Sequence, residues 1–247
     1  MKINIIKDER DYLVISKPAG ISIHDGAGKK QYTIIDWFIE NYPEINKLKW
    51  LSQTRPGIVH RLDKETSGIL LLAKNQKTLD FFQSQFKNRE VEKHYTTLVF
   101  DKPPFESGYI NALIRRDPKD RKKQKVDLVN FGLDEIERKN SATGYKVIKT
   151  LKFDGQLLSL LDVRIYTGRK HQIRVHMQYE GCPIVGDPVY NNKASKKLSK
   201  KLPLDRQFLH ATSLKIKLPN NEIMNFQDDL PEDFSNILKK LNEKMVL

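Results

Sequence analysis

The chain has a single cysteine, Cys182, among its 247 residues, so no disulfide can form within it and no cysteine cage for zinc is available. Long apolar runs are also missing, since no segment approaches the roughly 18 continuous apolar residues of a membrane-spanning helix. Charged residues between Lys7 and Asp11 interrupt any early apolar run, which argues against a secretory leader. We therefore expect a cytoplasmic protein, monomeric and without a membrane partner.

Acidic residues are outnumbered, with 31 Asp and Glu against 44 Lys and Arg and a net charge of +13. A protein this basic is expected to meet a polyanion, because neutralising phosphates releases condensed counterions. The hydrophobic content of 38% in 247 residues is enough for one sizeable core, with one domain or two lobes.

Nucleotide and metal motifs are missing as well. The segment Gly26-Ala27-Gly28-Lys29 fails the phosphate-loop pattern at positions 23 and 30 and the dinucleotide pattern at position 31. His171 and His176 are five residues apart, whereas two ligands on one helical face are four apart, and no His-Glu-x-x-His motif is present. We expect no cofactor and no metal.

Hydrophobic periodicity divides the chain into short strands and a few helices. Strands are predicted over 12–16, 69–73, 94–100, 109–114, 145–151, 157–166 and 210–218, and helices over 33–42, 75–89 and 233–244. Asp154-Gly155 marks a hairpin turn. The segment 167–177 fits both strand and helix spacing. Because the strands follow one another in hairpins, an α+β fold on a largely antiparallel sheet is favoured.

Two strongly basic segments, 115–125 and 196–201, are predicted to be loops between strands. One interpretation is a pair of solvated loops, and the other is a pair of loops that follow a phosphate backbone. The cations of the first segment are Arg115, Arg116, Lys119, Arg121, Lys122, Lys123 and Lys125.

Asp63 is the most informative single residue, because it lies between cations just ahead of the apolar run 69–73. A carboxylate at the entrance to a core is costly unless it is paired, and such groups are candidate catalytic residues. The residues alone allow a plainer interpretation, in which Asp63 caps locally, Tyr95 is an ordinary strand residue and Arg174 pairs with a surface carboxylate.

His60-Arg61-Leu62-Asp63 with Thr66-Ser67-Gly68 resembles the catalytic motif of the RluA family of RNA pseudouridine synthases. Four further segments resemble the family's other motifs in the correct order, across roughly residues 5 to 220. They are Lys17-Pro18-Ala19-Gly20, Lys93-His94-Tyr95, the stretch 168–176 followed by Gly186-Asp187, and His210-Ala211 with Leu214.

The resemblance implies the pseudouridine synthase catalytic fold: a mixed, mostly antiparallel, curved central sheet flanked by helices, with an RNA-binding cleft. We expect residues 1–247 to form one catalytic domain with two lobes around that cleft and without the S4 module that some members carry.

The resemblance also implies an activity, the isomerisation of uridine to pseudouridine in structured ribosomal or transfer RNA, without a cofactor. Asp63 becomes the catalytic carboxylate, acting as a nucleophile at C1′ or C6 or as a base toward C2′. Arg174 becomes its partner, and Tyr95 the ring that stacks on a flipped uracil. The expected RNA contacts are His60, Arg61, Arg115, Arg116, Arg121, Lys122, Lys123, Arg169, Lys170 and His171, with Arg61 entering the gap left by the base.

Two other classes compete with this interpretation. A non-catalytic RNA-binding module has no need of the acid at Asp63, and a methyltransferase needs a cofactor pocket with a Gly-rich turn, which the sequence does not show.

Overall fold

A computed structural model describes residues 3–24, 31–120, 122–127 and 140–243. The strands are β1 (Asn4–Asp8), β2 (Tyr12–Lys17), β3 (Ser67–Ala73), β4 (Glu92–Phe100), β5 (Ser107–Arg116), β6 (Gln124–Asp127), β7 (Asn140–Phe153), β8 (Gln156–Ile165), β9 (Leu209–Lys217) and β10 (Ile223–Gln227). The helices are α1 (Ile34–Asn41), a 3-10 helix (Pro43–Lys47), α2 (Gln76–Asn88), α3 (Gln172–Tyr179), α4 (Lys193–Ser199) and α5 (Glu232–Glu243).

The chain divides into two compact units. Unit 1 takes residues 1–92 and 211–229, and unit 2 takes residues 93–210 and 230–247. The α+β class and its largely antiparallel strand pairing are confirmed.

In unit 1 the strands lie in the order β1-β2-β3-β9, and β10 pairs with β9. Every residue of β3 is buried, as expected for an apolar run without alternation. Gly68 sits in this strand with a φ of 117°, and a Cβ added there would lie 2.3 Å from the carbonyl oxygen of Ala211 in β9. The glycine therefore permits the close approach of the two strands.

The two helices of unit 1 begin where their caps predict. Thr33 Oγ1 accepts a hydrogen bond from Asp36 N, and Asp36 Oδ2 accepts one from Thr33 N, which is a capping box. Asn75 Oδ1 accepts from Thr78 N at the start of α2. The helices predicted over 33–42 and 75–89 are confirmed to within a residue at each end.

Unit 2 contains an antiparallel sheet in the order β4-β8-β7-β5-β6. The long hairpin of β7 and β8 turns at Asp154 and Gly155, which both have positive φ, so the predicted turn is confirmed. Helix α5 belongs to the same unit, where Phe234 stacks on Phe208 with ring centroids 3.8 Å apart.

The ambiguous segment 167–177 overlaps α3, which begins directly after His171, a residue in the left-handed conformation. Every residue from Gln172 to Met177 is buried. Neither period was decisive because the polar residues among 172–177 are buried together with the apolar ones, so no solvent-facing polar stripe marks this part of the helix.

The prediction of two basic loops was wrong in part. The first loop is shorter than predicted, and the second segment is partly helical. Arg115 and Arg116 belong to β5 and pair with Lys125 and Gln124 of β6, because Val126 packs on the cluster of Ile114, Val175 and Tyr190. The segment 196–201 is not a loop throughout, since it overlaps α4. The sequence signals for α4 are a capping box of Asn192 and Ser195 and the buried Leu198.

The strands β1, β6 and β10 and the 3-10 helix were not predicted. The edge strand β1 has no buried residue and hence no apolar alternation to detect. The segment 26–29 and Arg121 lie outside the described residues. Within the described ranges, no helix has the length and apolarity to cross a bilayer, and no group of His, Cys, Asp or Glu is arranged to hold a metal ion.

Candidate active site

Asp63 lies half-buried on the loop that enters β3, as predicted. Its carbonyl accepts a hydrogen bond from Thr66 N at 3.1 Å, closing a turn through Lys64 and Glu65. Leu62 and Thr66 on either side are buried. Packing on both sides of the turn therefore fixes the backbone that carries this carboxylate.

Lys17 fastens the same loop from β2. Its side chain is fully buried, and Nζ donates to the carbonyl oxygens of Pro18 at 2.7 Å, Ile21 at 3.1 Å and Lys64 at 3.0 Å. Gly20 N donates to the same Lys64 carbonyl at 3.0 Å. The Lys17–Gly20 motif thus positions the residue next to Asp63, a role that the sequence alone did not indicate.

His60 and Arg61 precede Asp63 and differ in their surroundings. His60 is half-buried, stacks on Phe86 with ring centroids 4.8 Å apart, and accepts a hydrogen bond from Leu71 N through Nε2. Arg61 is exposed. The imidazole therefore contributes to the packing of unit 1, while the predicted RNA contacts of both residues stay predictions.

Tyr95 lies in unit 2, on β4, and is buried with 7% of its surface exposed. It pairs with Val163 of β8 in the antiparallel register. Lys93, two residues earlier on the same strand, is also buried, and burial lowers the pKa of its ammonium group to about 8.

Arg174 projects from α3 and forms a bidentate ion pair with Asp187. Its Nε donates to Oδ2 at 2.7 Å and its second terminal nitrogen to Oδ1 at 3.0 Å. Asp187 Oδ1 also accepts from the backbone N–H groups of Val189 and Tyr190. Both charged groups are buried, so each is compensated by the other and the planar guanidinium is fixed in direction.

The sequence did not predict that Asp187 binds Arg174, although Gly186-Asp187 is one of the segments that resemble the family's motifs. Spacing along a chain does not say which carboxylate meets a given arginine in space. The predicted pairing of Arg174 with Asp63 stays a prediction.

A buried polar network anchors α3 against the start of β7. His176 contacts Thr143 Oγ1 through Nδ1 at 2.9 Å and Ser141 Oγ through Nε2 at 3.0 Å. Gln172 donates to the Ala142 carbonyl and to Thr143 Oγ1. Burial lowers the pKa of His176 to about 4, so the imidazole is neutral at neutral pH and suits a site between two hydroxyls.

His171 connects the start of α3 to β6. Its Nδ1 lies 2.9 Å from the Tyr190 hydroxyl oxygen, which also accepts from Gln124 N at 2.7 Å. Arg169 and Lys170 just before it are exposed, as a contact with RNA requires.

The basic segment between β5 and β6 presents cations of two kinds. Arg115 forms an ion pair with the buried Asp127. Arg116 and Lys122 are exposed, and Lys123 is half-buried with its Nζ 3.9 Å from Asp120 Oδ2. Arg116 and Lys122 are therefore the most exposed members of the predicted set in the described part of this segment, and the side chains of Arg115 and Lys123 are 40% and 41% exposed.

The structure places Asp63 in unit 1 and both Tyr95 and Arg174 in unit 2. That the three form one catalytic group is a prediction from the resemblance.

Residues 11–179 match the family model of RNA pseudouridylate synthases. An uncharacterized RNA pseudouridine synthase of Chlorobaculum parvum is 37% identical, over 98% of this chain and 75% of that protein. The ribosomal large subunit pseudouridine synthase D of Buchnera aphidicola is 34% identical, over 97% of this chain and 73% of that protein. The structure titled human RNA pseudouridylate synthase domain containing 4 superposes with a TM-score of 0.72 at 26% identity, covering 97% of this chain and 93% of that one.

The fold and the matched motifs define an enzyme that modifies RNA. The chain belongs to the RluA family of RNA pseudouridine synthases, whose reaction isomerises uridine to pseudouridine within RNA.

Proposed function

We propose that this enzyme converts one or more specific uridines of structured large-subunit ribosomal RNA into pseudouridine, with Asp63 as the catalytic carboxylate. The observation that carries the assignment is the half-buried Asp63 on a loop held by the buried Lys17. The ribosomal substrate is suggested by relatives that are named ribosomal large subunit pseudouridine synthase D. Transfer RNA is the second candidate.

The proposed reaction breaks the N1–C1′ bond, rotates the base while it is bound, and forms a C5–C1′ bond. The C5 proton leaves and N1 regains a proton, so atoms and electrons balance without an oxidant or reductant. Asp63 acts through one of three routes: attack at C1′, attack at C6, or removal of a proton from C2′. All three need an ionised carboxylate at the start.

Tyr95 and Arg174 are proposed to complete the site around Asp63, with both units acting as one catalytic domain. A tyrosine ring offers a flat surface for a flipped uracil and a polar end for proton transfer at C5. Arg174, held by Asp187, presents a cation that stays charged at any physiological pH. These roles come from the family resemblance.

The target uridine must leave its stack before its ring can rotate, at a cost of a few kcal/mol. We propose that Arg61, exposed beside Asp63, fills the gap left by the base. Arg61→Ala should then lower turnover on folded RNA several-fold while the thermal unfolding midpoint stays unchanged. Turnover at the wild-type rate by that variant would contradict this role.

Tritium release tests the whole proposal, because isomerisation expels the hydrogen at C5. Purified protein and RNA carrying C5-tritiated uridine are mixed without any cofactor, and Asp63→Asn is run in parallel. We expect release by the wild-type protein, no release by Asp63→Asn, and equal RNA binding by both. Release by Asp63→Asn at the normal rate would rule out the assignment of Asp63.

A further inference from the structure

Unit 2 contains an open groove of about 500 Å³ on the solvent-facing side of β5, β7 and β8. Its walls carry Tyr109 from β5, Lys146 from β7, and Arg164 and Tyr166 from β8 and the residue after it. A volume of this size lies within the usual range of small-ligand sites and can admit one nucleotide.

The groove lies on the opposite face of the strands from Tyr95. In the antiparallel register Tyr95 is level with Val163, which is in turn level with Tyr145, and these three point to the buried side. Arg164 and Lys146 are the next residues along their strands and point the other way, because successive side chains alternate between faces. The Lys146 and Arg164 side chains therefore lie on the other face of the sheet from Tyr95, although Tyr145 also borders the groove.

Two of the aromatic rings that line the groove contact each other. The rings of Tyr109 and Tyr166 meet edge to face with centroids 5.5 Å apart, and the Arg164 guanidinium lies 4.8 Å from the Tyr166 centroid. Tyr109 is 61% exposed. Its ring is therefore accessible to a ligand in the groove.

The charges around the rings favour an anionic ligand. Lys146 is exposed and Arg164 is half-buried, and both line the groove. Asp162 is the one carboxylate in the lining, and both of its oxygens lie within about 3 Å of His94 Nδ1. Two cations next to an accessible aromatic surface are the combination that binds single-stranded nucleic acid, in which bases stack on rings and cations hold phosphates.

We propose that this groove binds a nucleotide of single-stranded RNA, with its base stacked on Tyr109 and its phosphate held by Lys146 and Arg164. The proposal rests on the proposed function in that the nucleotide belongs to an unpaired segment of the same substrate RNA. A paired nucleotide does not fit this role, because both faces of its base are already stacked within the helix.

Fluorescence anisotropy with a labelled oligoadenylate tests the proposal. This probe contains no uridine, so its binding does not depend on the Asp63 reaction. Tyr109→Ala should raise the dissociation constant about 5- to 150-fold, the range for loss of one base–aromatic stack. Tyr109→Phe, which keeps the ring, should stay within about twofold of the wild type.

Phe105→Ala is the matched control, because Phe105 is equally accessible at 68% exposure and does not line the groove. It should leave oligoadenylate binding unchanged. Lys146→Ala should weaken binding. It should also make the slope of log affinity against log salt concentration shallower, by the amount that corresponds to about one phosphate contact.

Wild-type affinity in both Tyr109→Ala and Lys146→Ala would overturn the proposal. If Tyr109→Ala unfolds, Lys146→Ala decides alone, since its side chain is exposed. Failure here is distinguishable from failure of the proposed function, because tritium release by the wild-type protein is measured separately.

Discussion

At the scale of single residues, Lys17 is the side chain that holds the loop of the candidate site in place through its hydrogen bonds. A fully buried ammonium group is tolerated because three backbone carbonyls accept its hydrogen bonds. One of these carbonyls belongs to Lys64, the neighbour of Asp63. The position of the proposed catalytic carboxylate therefore depends on a residue far away in the sequence.

Lys17→Met should keep the volume of the side chain and remove all three hydrogen bonds. We expect the free energy of unfolding to fall by about 3 kcal/mol, since each buried acceptor left unsatisfied costs roughly 1–3 kcal/mol. Turnover should fall more than RNA affinity, because the Asp63 loop loses its anchor. Urea denaturation and tritium release measure the two effects.

Lys77→Met serves as the control for Lys17→Met, because Lys77 is exposed on α2. It should change the free energy of unfolding by less than about 0.5 kcal/mol. Equal effects of the two substitutions would show that the Lys17 hydrogen bonds do not contribute to the free energy of unfolding.

His176 gives the stability of the protein a pH dependence. Its pKa is about 4 in the folded protein and near 6.5 in an unfolded chain. Between these values the unfolded state binds more protons, so stability falls as pH falls from about 6.5 to about 4, by up to roughly 3 kcal/mol. Thermal unfolding midpoints measured between pH 7.5 and pH 4 test this.

His176→Gln should flatten that part of the pH profile, because a neutral amide can bond Ser141 and Thr143 without titrating. The difference in midpoint between wild type and variant should be constant above pH 6.5 and shrink below it. Parallel profiles across the whole range would contradict the assignment of this titration to His176.

At the scale of elements, the sequence predicted best those whose own residues decide their form. The uninterrupted apolar run at 69–73 predicted β3, and the capping residue Asn75 predicted the start of α2. Asp154-Gly155 predicted the turn between β7 and β8. Local chemistry was sufficient in each case.

Elements that depend on partners distant in the sequence were not predicted. The strand β6 exists through its pairing with β5 and the packing of Val126 on Val175 and Tyr190, which no local pattern shows. The same limit applies to the site. The loop position of Asp63 followed from its neighbours, whereas the Lys17 anchor and the Asp187 partner of Arg174 required the folded chain.

Gly68 joins two elements whose contact the sequence could not show. A methyl group at this position would collide with the Ala211 backbone of β9 at 2.3 Å, on a backbone with positive φ. Gly68→Ala should therefore lower the free energy of unfolding by about 3 kcal/mol or more. Urea denaturation and the yield of folded protein would report the loss.

Gly155→Ala provides the comparison for Gly68→Ala. Gly155 also has a positive φ, of 77°, but no atom lies within 4 Å of an added Cβ. Only the conformational cost of about 1 kcal/mol should appear. An equally small effect at Gly68 would mean that β3 and β9 do not approach each other as closely as described.

At the scale of the whole molecule, a net charge of +13 agrees with an enzyme whose family acts on RNA. The accessible cations occur in several places, among them Arg61 in unit 1, Arg116 and Lys122 beside β6, and Lys146 in the groove. An RNA that contacts several of these sites would gain affinity from each released counterion and so offset the cost of flipping a base.

Pseudouridine mapping on an unmodified large-subunit ribosomal RNA transcript tests the central claim most directly. The transcript is incubated with wild-type protein or with Asp63→Asn, and every uridine is then read for conversion. We predict pseudouridine at one or a few defined positions with the wild-type protein and none with the variant, although both bind the RNA. Conversion at the same positions and rate by Asp63→Asn would contradict the account.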